Sequence, residues 1–442
     1  MIDTLCLDVG STWTKAALIA ADGVLLGTAQ HPTTPPEVLD GIAAVTASLD
    51  AGAAPVLACS SAGGGLRLAV VGQERLISAE AGYRVALSAG AKVVHVSSGE
   101  LDAAGIQALR EARPDVVLLA GGTDGGDRRV LLHNARRIAA HHLAAPIVLA
   151  GNAEARTEAL SVLNATGRRV VPTDNVLPDV GELAPGPARA AIREVFLAHV
   201  IGGKGLSQGP RFRQLVRAVT PDAVLAGVAG LASVLASDTV SSDDGGAVLV
   251  VDVGGATTDV YSAVALPDVE PGKRAVALPP ERRTVEGDIG MRWSAAGVVA
   301  EAAVERLLAD GEHDRLAQAA EFRAAHVDFI PTDAADAAVD ARLAALAAIL
   351  ALRRHVRMVE GQFGPRGAGI LVASGGVFRH ASPATLSTVE SVLREDPVLR
   401  PILRHAILVV DRDYVLAPAG LLAEAGNPAA AENLLRTNLI RN

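Results

Sequence analysis

Apolar runs of four to six residues recur along the chain, and between them lie longer segments whose apolar positions follow helical spacing. The short runs predict strands at Thr4–Val9, Val56–Cys59, Val93–Val96, Val116–Ala120, Ile147–Ala150, Val248–Val251, Ile370–Ala373 and Ala406–Val410. Helical spacing predicts helices at Ala103–Ala112, Arg128–His142, Ala153–Ala165 and Pro187–His199. Strand and helix in alternation argue for an α/β architecture with largely parallel strands.

Two segments break that alternation in the same way. Leu7–Ile19 reads LDVGSTWTKAALI and Val251–Ser262 reads VDVGGATTDVYS. Each is an apolar strand ending in Asp-Val-Gly, then a small polar turn, then an alternating segment. That order predicts a hairpin rather than a strand followed by a helix. The Asp-Val-Gly triplets superpose, and so do Thr14 and Thr258, which points to an internal duplication with one copy opening each of two lobes. The polar stretch Ser241–Gly246 suits the seam, giving a first lobe over residues 1–240 and a second over 241–442. The two aspartates are 244 positions apart, a long interval for one lobe, so an α/β unit is expected to be inserted over about residues 80–173. A polar loop near Gly361–Gly367 and a helical tail after Pro418 complete the second half.

Composition narrows the class. With 442 residues, half of them hydrophobic, the chain has material for several cores. The densest apolar runs, Ala223–Ala236 and Leu343–Leu352, fall short of the roughly 20 residues that cross a bilayer. The N-terminus carries Asp3 and Asp8 and no basic residue before its apolar run, unlike a signal peptide. A cytoplasmic protein that does not enter a membrane is the expectation. A net charge of −9 and 2% aromatic residues argue against nucleic acid. Cys6 and Cys59 each sit in an apolar run and read as buried thiols.

The two turns carry the chemistry. In the first, Gly10 lets backbone N–H groups approach phosphate oxygens, the hydroxyls of Ser11, Thr12 and Thr14 add donors, and Lys15, one of four lysines in the chain, adds positive charge. In the second, Gly254, Gly255, Thr257 and Thr258 repeat the arrangement. Asp8 and Asp252 are hard oxygen ligands suited to Mg²⁺ and its waters, and either could orient a hydrolytic water. A third element, Ile370–His380 (ILVASGGVFRH), ends a strand in Gly375 and Gly376, where a flat ligand such as adenine could approach the backbone. Each element alone also reads as an ordinary turn; the three in this order point to a nucleotide.

With these residues the chain resembles the actin, hexokinase and heat-shock-chaperone superfamily. Leu7–Ile19 looks like its first phosphate motif, Val251–Ser262 like its second and Ile370–His380 like its adenosine motif. The resemblance implies a two-lobed fold with ribonuclease-H-like lobes and the use of ATP with Mg²⁺. Of the superfamily's two connecting helices, Ala223–Ala236 is a candidate for one. Further segments narrow the likeness: Ser60–Gly72 (SSAGGGLRLAVVG), Leu118–Asp127 (LLAGGTDGGD), Val148–Asn152 (VLAGN), Arg283–Arg292 (RTVEGDIGMR) and Asp411–Leu421 (DRDYVLAPAGL). Together they resemble the glutamate mutase accessory protein L family, which is unrelated to the DNA mismatch-repair protein of similar name. That resemblance implies an ATP-dependent accessory or reactivating role toward an adenosylcobalamin-dependent mutase or aminomutase.

Other residues have plainer readings. His141 and His142 are adjacent and would point about 100° apart on a helix, a poor metal pair. Thr123, Asp124 and Asp127 fit a Gly-rich turn as well as a ligand site. Glu286 and Asp288 could approach the nucleotide from the second lobe. Arg353, Arg354 and Arg357 read as a solvated helix face, and Trp13 as a cap on the first hairpin. Two other functions fit the same fold: a small-molecule kinase, for whose catalytic carboxylate no isolated motif stands out while Asp124 stays open, and a filament-forming actin relative.

Overall fold

The computed structural model describes residues 3–440 apart from 63–65, 75–78, 80, 83–84, 87–90, 142, 166, 181, 197, 199–205, 208–209, 239–246, 265–279, 360, 362 and 364–366. Its strands are β1 (Thr4–Val9), β2 (Trp13–Ile19), β3 (Leu25–Pro32), β4 (Val56–Ser60), β5 (Arg67–Gly72), β6 (Lys92–Ser98), β7 (Val116–Leu119) and β8 (Ile147–Leu149). There follow β9 (Val170–Pro172), β10 (Val216–Val219), β11 (Val248–Val253), β12 (Thr258–Ala263), β13 (Glu281–Glu286), β14 (Ile370–Ser374) and β15 (Ile407–Val410).

They form three five-stranded sheets. The first has the order β10-β4-β1-β2-β3, and the second β13-β12-β11-β14-β15. In each, three antiparallel strands form a meander and two further strands join parallel to the first of them. Counted along the chain, both sheets have the same order, 5-4-1-2-3. This repeated topology is the two-lobed actin-like fold with ribonuclease-H-like lobes, and it confirms the two predicted hairpins as β1–β2 and β11–β12.

The third sheet, β6-β5-β7-β8-β9, is wholly parallel and lies in the chain between the fourth and fifth strands of the first. It is an inserted doubly wound unit of order 2-1-3-4-5. Its helices Ala103–Glu111, Arg129–Ala140 and Arg156–Asn164 cover one face, while Pro185–Val195 packs on the other. The unit takes its first strand, Arg67–Gly72, from upstream of residue 80 and its covering helix Pro185–Val195 from downstream of 173. One residue, Leu66, separates that strand from a glycine triplet, which in sequence reads as a loop motif.

Strand alternation explains where the cores lie. Leu5, Leu7 and Val9 face one core, and Leu249, Val251 and Val253 face another. Cys6, Val248 and Val250 point the opposite way, into a third core shared with the helices Thr220–Asp238 and Leu416–Glu424. By the same alternation Asp8 and Asp252 stand on the faces that the two lobes turn toward each other.

The two helices of that shared core approach very closely. A Cβ at Gly227 would lie 2.0 Å from the Leu416 carbonyl oxygen, and one at Gly420 would lie 1.9 Å from that of Ala223. Thr220–Ser237 is long and apolar enough, by length and composition, to cross a membrane. Here Ala223, Val228, Leu231 and Ala232 are instead consumed by the core between the lobes. This helix contains the expected connecting segment Ala223–Ala236. Its partner, Leu416–Glu424, begins two residues before Pro418. The predicted seam, Ser241–Gly246, lies outside the described residues.

Cys6 and Cys59 are free and buried, as read from the sequence. Burial pushes the Cys6 thiol up to about 12 and Cys59 well above its ordinary value, so both stay protonated and unreactive. Arg353 and Arg354 differ from expectation. Arg353 pairs with Glu305 at 3.1 Å and Asp396 at 2.7 Å, and Arg354 with Glu286 at 2.7 Å and Glu301 at 2.5 Å. They tie the long helix Ala334–Met358 to its neighbours, and only Arg357, 60% exposed, fits a solvated face. Adjacent arginines on one helix look alike in sequence; the acids that meet them come from distant elements.

Candidate functional site

The cleft between the lobes is built from two matching sets of residues. In antiparallel pairing, residues directly opposite share a face. Asp8 lies opposite Lys15 and Val9 opposite Thr14; Asp252 lies opposite Asp259 and Val253 opposite Thr258. Asp8 and Lys15 therefore face the cleft, while Thr14 and Thr258 turn into the lobe interiors. Both threonines are fully buried. The Thr14 hydroxyl lies 3.2 Å from that of Thr33, and Thr258 donates to the Ile289 carbonyl at 3.0 Å. Their superposition in sequence reflects a shared structural job, holding each hairpin onto its backing segment.

The hairpin tips match as well. Gly10 N–H donates to the Trp13 carbonyl at 3.0 Å, and Gly254 N–H to that of Thr257 at 2.9 Å. Each tip is backed by a second strand of chain. Thr33 N–H donates to Thr12 at 2.9 Å, while Met291 and Arg292 donate to Gly254 and Gly255 at 2.9 and 2.8 Å. Arg292 in turn reaches Asp340 on the long helix at 2.9 Å, and Asp340 is held by the buried Arg323 at 2.5 Å. This explains the RTVEGDIGMR segment: Ile289–Arg292 supports the second hairpin. Glu286 faces Arg354 and Asp288 is exposed. Ser11 and Thr12 stand exposed at the first tip, where their hydroxyls and the backbone are open to a ligand, and Trp13 is 39% exposed rather than a plug.

Beside each aspartate stand two further residues that motif reading missed. Asp8 pairs in register with Cys59, and Asp252 with Ser374. The Cys59 thiol donates to Asp8 Oδ1 at 3.7 Å, and Ser374 hydrogen-bonds Asp252. The residue directly after the fifth strand of each lobe completes the set: Thr220, donating to Asp8 Oδ1 at 2.6 Å, and Asp411. The signal was positional, because ligands of open α/β sheets gather beyond the strands' carboxyl ends. Asp8, Lys15, Thr220, Asp252, Ser374, Arg379, Asp411 and Tyr414 all line the same cleft.

The electrostatics follow from burial. Asp252 is raised above its ordinary value chiefly by desolvation, against the pull of Lys15. Asp411 is pushed up to about 6, again by burial, although the Val415 and Leu416 amides donate to it at 2.8 and 3.5 Å. Burial lowers Lys15, but Tyr414, Asp8, Asp252 and Asp411 outweigh it and the net shift is upward, so Lys15 stays charged. Its ammonium sits 3.8 Å from Asp8 Oδ2 and 3.7 Å from the centre of the Tyr414 ring.

The adenosine segment divides in two. Gly375 has φ +114°, and a Cβ there would lie 2.3 Å from the Val253 carbonyl oxygen, so glycine is required by the close approach of β14 to β11. Gly376 has nothing within 4 Å of its Cβ position, and there a flat ligand can reach the backbone. No group of three or more His, Cys, Asp or Glu side chains that could hold a metal occurs among the described residues. One or two carboxylates completed by phosphate oxygens and water are what Mg²⁺ ordinarily takes, and Asp8 and Asp252 fit that pattern. His141 bonds the Arg137 carbonyl at 2.8 Å, and His142 lies outside the described residues.

Comparison with known proteins places this geometry. Protein MutL of Clostridium tetanomorphum is 34% identical over 468 aligned positions, covering 99% of each chain. Among solved structures, nucleotide-free acetone carboxylase is similar at 15% identity with a TM-score of 0.40, over 88% of this chain and 67% of that one. A ROK family glucokinase from Streptomyces griseus, in complex with glucose and AMPPNP, is similar at 13% identity with a TM-score of 0.30, over 98% and 99%. The model of the MutL protein family matches residues 4–439, so the chain belongs to that family, the glutamate mutase accessory family of the sequence reading.

Proposed function

We propose that this chain binds ATP with Mg²⁺ between its two hairpins, hydrolyses it slowly, and uses the resulting lobe movement to act on a protein partner. The partner in this reading is an adenosylcobalamin-dependent mutase of the glutamate mutase or aminomutase type, encountered in the cytoplasm and reactivated by release of damaged cobalamin. The observation that carries the nucleotide reading is the duplicated constellation, with Asp8, Cys59 and Thr220 on one lobe and Asp252, Ser374 and Asp411 on the other. Family membership supports the choice of partner.

The residues divide the work by position. The tips, Gly10–Thr12 and Gly254–Thr257, offer backbone N–H groups and hydroxyls to the phosphates from two sides. Lys15 supplies charge to the transferred phosphoryl group. Asp252, its proton affinity raised by desolvation, orients a water, while Asp8 lies 3.8 Å from the Lys15 ammonium. Magnesium held by Asp8 and Asp252 would neutralise phosphate charge. The division between the lobes is proposed at about residue 240. Movement between them bends about the close-packed helices Thr220–Asp238 and Leu416–Glu424, and different phosphate contacts before and after hydrolysis bias it.

The kinase alternative needs a carboxylate free to take a substrate proton. Asp124 instead lies in the inserted unit, where its Oδ1 accepts from the Ala153 amide at 2.8 Å and the Asn175 side chain at 2.9 Å, and it is not among the residues that line the cleft with Asp8, Lys15 and Asp252. That position favours the accessory reading. The test is affinity capture of the tagged protein from its own cell lysate with ATP and with ADP, read by mass spectrometry. Recovery of a cobalamin-dependent mutase subunit in one nucleotide state supports the proposal; its absence from both states ends it. Unchanged ATP turnover in Asp252→Ala would remove the hydrolytic assignment.

A further inference from the structure

We infer that Tyr414 and Arg379 form a clasp across the cleft that holds Lys15 away from a polyphosphate, so that nucleotide must compete with the clasp to recruit Lys15. The inference deepens, and rests on, the reading of the cleft as an ATP site.

The clasp consists of four contacts, two of which join the lobes. Two cations approach the Tyr414 ring: Lys15 of β2, 3.7 Å from the ring centre, and Arg379, 4.8 Å from it. Arg379 then crosses to the first lobe, where its Nη1 donates to Gln30 Oε1 on β3 at 3.3 Å. Arg412 donates to the Arg379 carbonyl at 3.0 Å and so fixes the two second-lobe segments to each other.

Tyr414 is held in place at some strain. Its φ is +54°, a left-handed conformation that a bulky side chain rarely adopts. Non-glycine residues in that region persist where their surroundings over-determine them, commonly at ligand clamps and switches. Here the surroundings are the Asp411 carboxylate, which grips the Val415 amide on the far side of Tyr414, and the two cations on the ring. Two positive groups on one ring repel each other, and the quadrupole of the ring compensates for both.

A polyphosphate at the hairpin tips offers Lys15 a stronger partner than a ring face, because ammonium and phosphate form charge-assisted hydrogen bonds. Transfer of Lys15 leaves Arg379 as the remaining cation on Tyr414, and its bond to the exposed Gln30 as the remaining direct bridge of the clasp between lobes. Filling the site thus loosens the mouth of the cleft. Nucleotide affinity is reduced by the share of molecules in which the clasp is closed.

The experiment is calorimetric titration of MgATP into wild type, Tyr414→Asn and Gln30→Ala, with backbone hydrogen exchange of residues 376–380 and 411–416 followed in each. Asparagine tolerates the left-handed backbone, and Gln30 is an exposed position whose loss leaves the fold intact. A cation–π contact of ordinary strength predicts that Tyr414→Asn binds about 2- to 30-fold more tightly than wild type. Gln30→Ala should also bind more tightly and exchange faster in both segments before nucleotide is added. Affinity equal to or below wild type in both variants overturns the clasp. If wild type takes up no ATP, it is the nucleotide reading that fails. Exchange in Gln30→Ala without nucleotide then still decides the clasp: unchanged rates refute it, and faster rates keep it as a bridge between lobes.

Discussion

His355 provides a pH test of the packing behind the second hairpin. It is fully buried on the Ala334–Met358 helix, with Nε2 2.9 Å from the Ser262 hydroxyl of β12 and Nδ1 3.0 Å from the Thr284 hydroxyl of β13. A neutral imidazole donates from one nitrogen and accepts at the other, and two hydroxyls satisfy either tautomer. Burial, with a contribution from nearby Arg282, lowers its pKa from 6.5 to about 3. The unfolded chain therefore takes up a proton below about pH 6.5 that the folded chain refuses until about pH 3. Stability contributed by the neutral form is complete above pH 6.5 and declines as pH falls toward 3, by about 1.4 kcal/mol per pH unit. By pH 4.5 the loss is about 3 kcal/mol.

Asp411 acts in the opposite direction. Its folded pKa of about 6 exceeds the ordinary 3.8, so its contribution is fully present below the unfolded value and is lost as pH rises through 6. The two slopes offset each other between about pH 4 and 6, and a profile of wild type alone would look flat there. The informative quantity is the difference between wild type and His355→Gln in urea unfolding followed by circular dichroism from pH 4.5 to 8. The variant, which cannot titrate, should be less stable at pH 7.5, and its deficit should shrink by about 3 kcal/mol at pH 4.5. A deficit that stays constant with pH would refute the buried, neutral His355.

Three further outcomes are expected. Gly420→Ala puts a methyl group 1.9 Å from the Ala223 carbonyl oxygen, so the two central helices must separate; a stability loss of about 3 kcal/mol in thermal unfolding checks it. Gly376→Ala meets nothing within 4 Å and should leave unfolding unchanged while weakening the binding of an adenine nucleotide, read by fluorescence titration. Thr220→Val removes the 2.6 Å hydrogen bond to Asp8, and ATP turnover in a phosphate-release assay should fall about tenfold.

The hairpins were legible because a strand ending in Asp-Val-Gly followed by an alternating segment has few other solutions, and because the pattern occurs twice. Asp8, Lys15 and Asp252 follow from that pattern, and the structure brings all three to one cleft. Thr14 and Thr258 showed that sequence superposition does not reveal direction: one step of strand alternation separates a residue facing the cleft from one facing the core. Thr220, Ser374 and Asp411 were hidden for a different reason. Each is a single polar residue at a strand end, and only the parallel pairing of distant strands sets it beside an aspartate. Tyr414 and Arg379 carry no local signal, since their contacts join segments hundreds of positions apart. The helix Leu416–Glu424 was obscured by Pro418, which lies within its first turn, where proline is tolerated.

The central claim is that the cleft between the hairpins holds a nucleotide, and calorimetric titration of MgATP into wild type, Lys15→Met and Asp252→Asn tests it most directly. The account predicts one saturable site per chain in wild type and affinity at least about tenfold weaker in Lys15→Met, which loses a charge-assisted phosphate contact. Asp252→Asn should bind more weakly with Mg²⁺ present than wild type does, and the difference should narrow when the metal is chelated. No saturable binding to wild type, or equal binding by all three proteins, would contradict it.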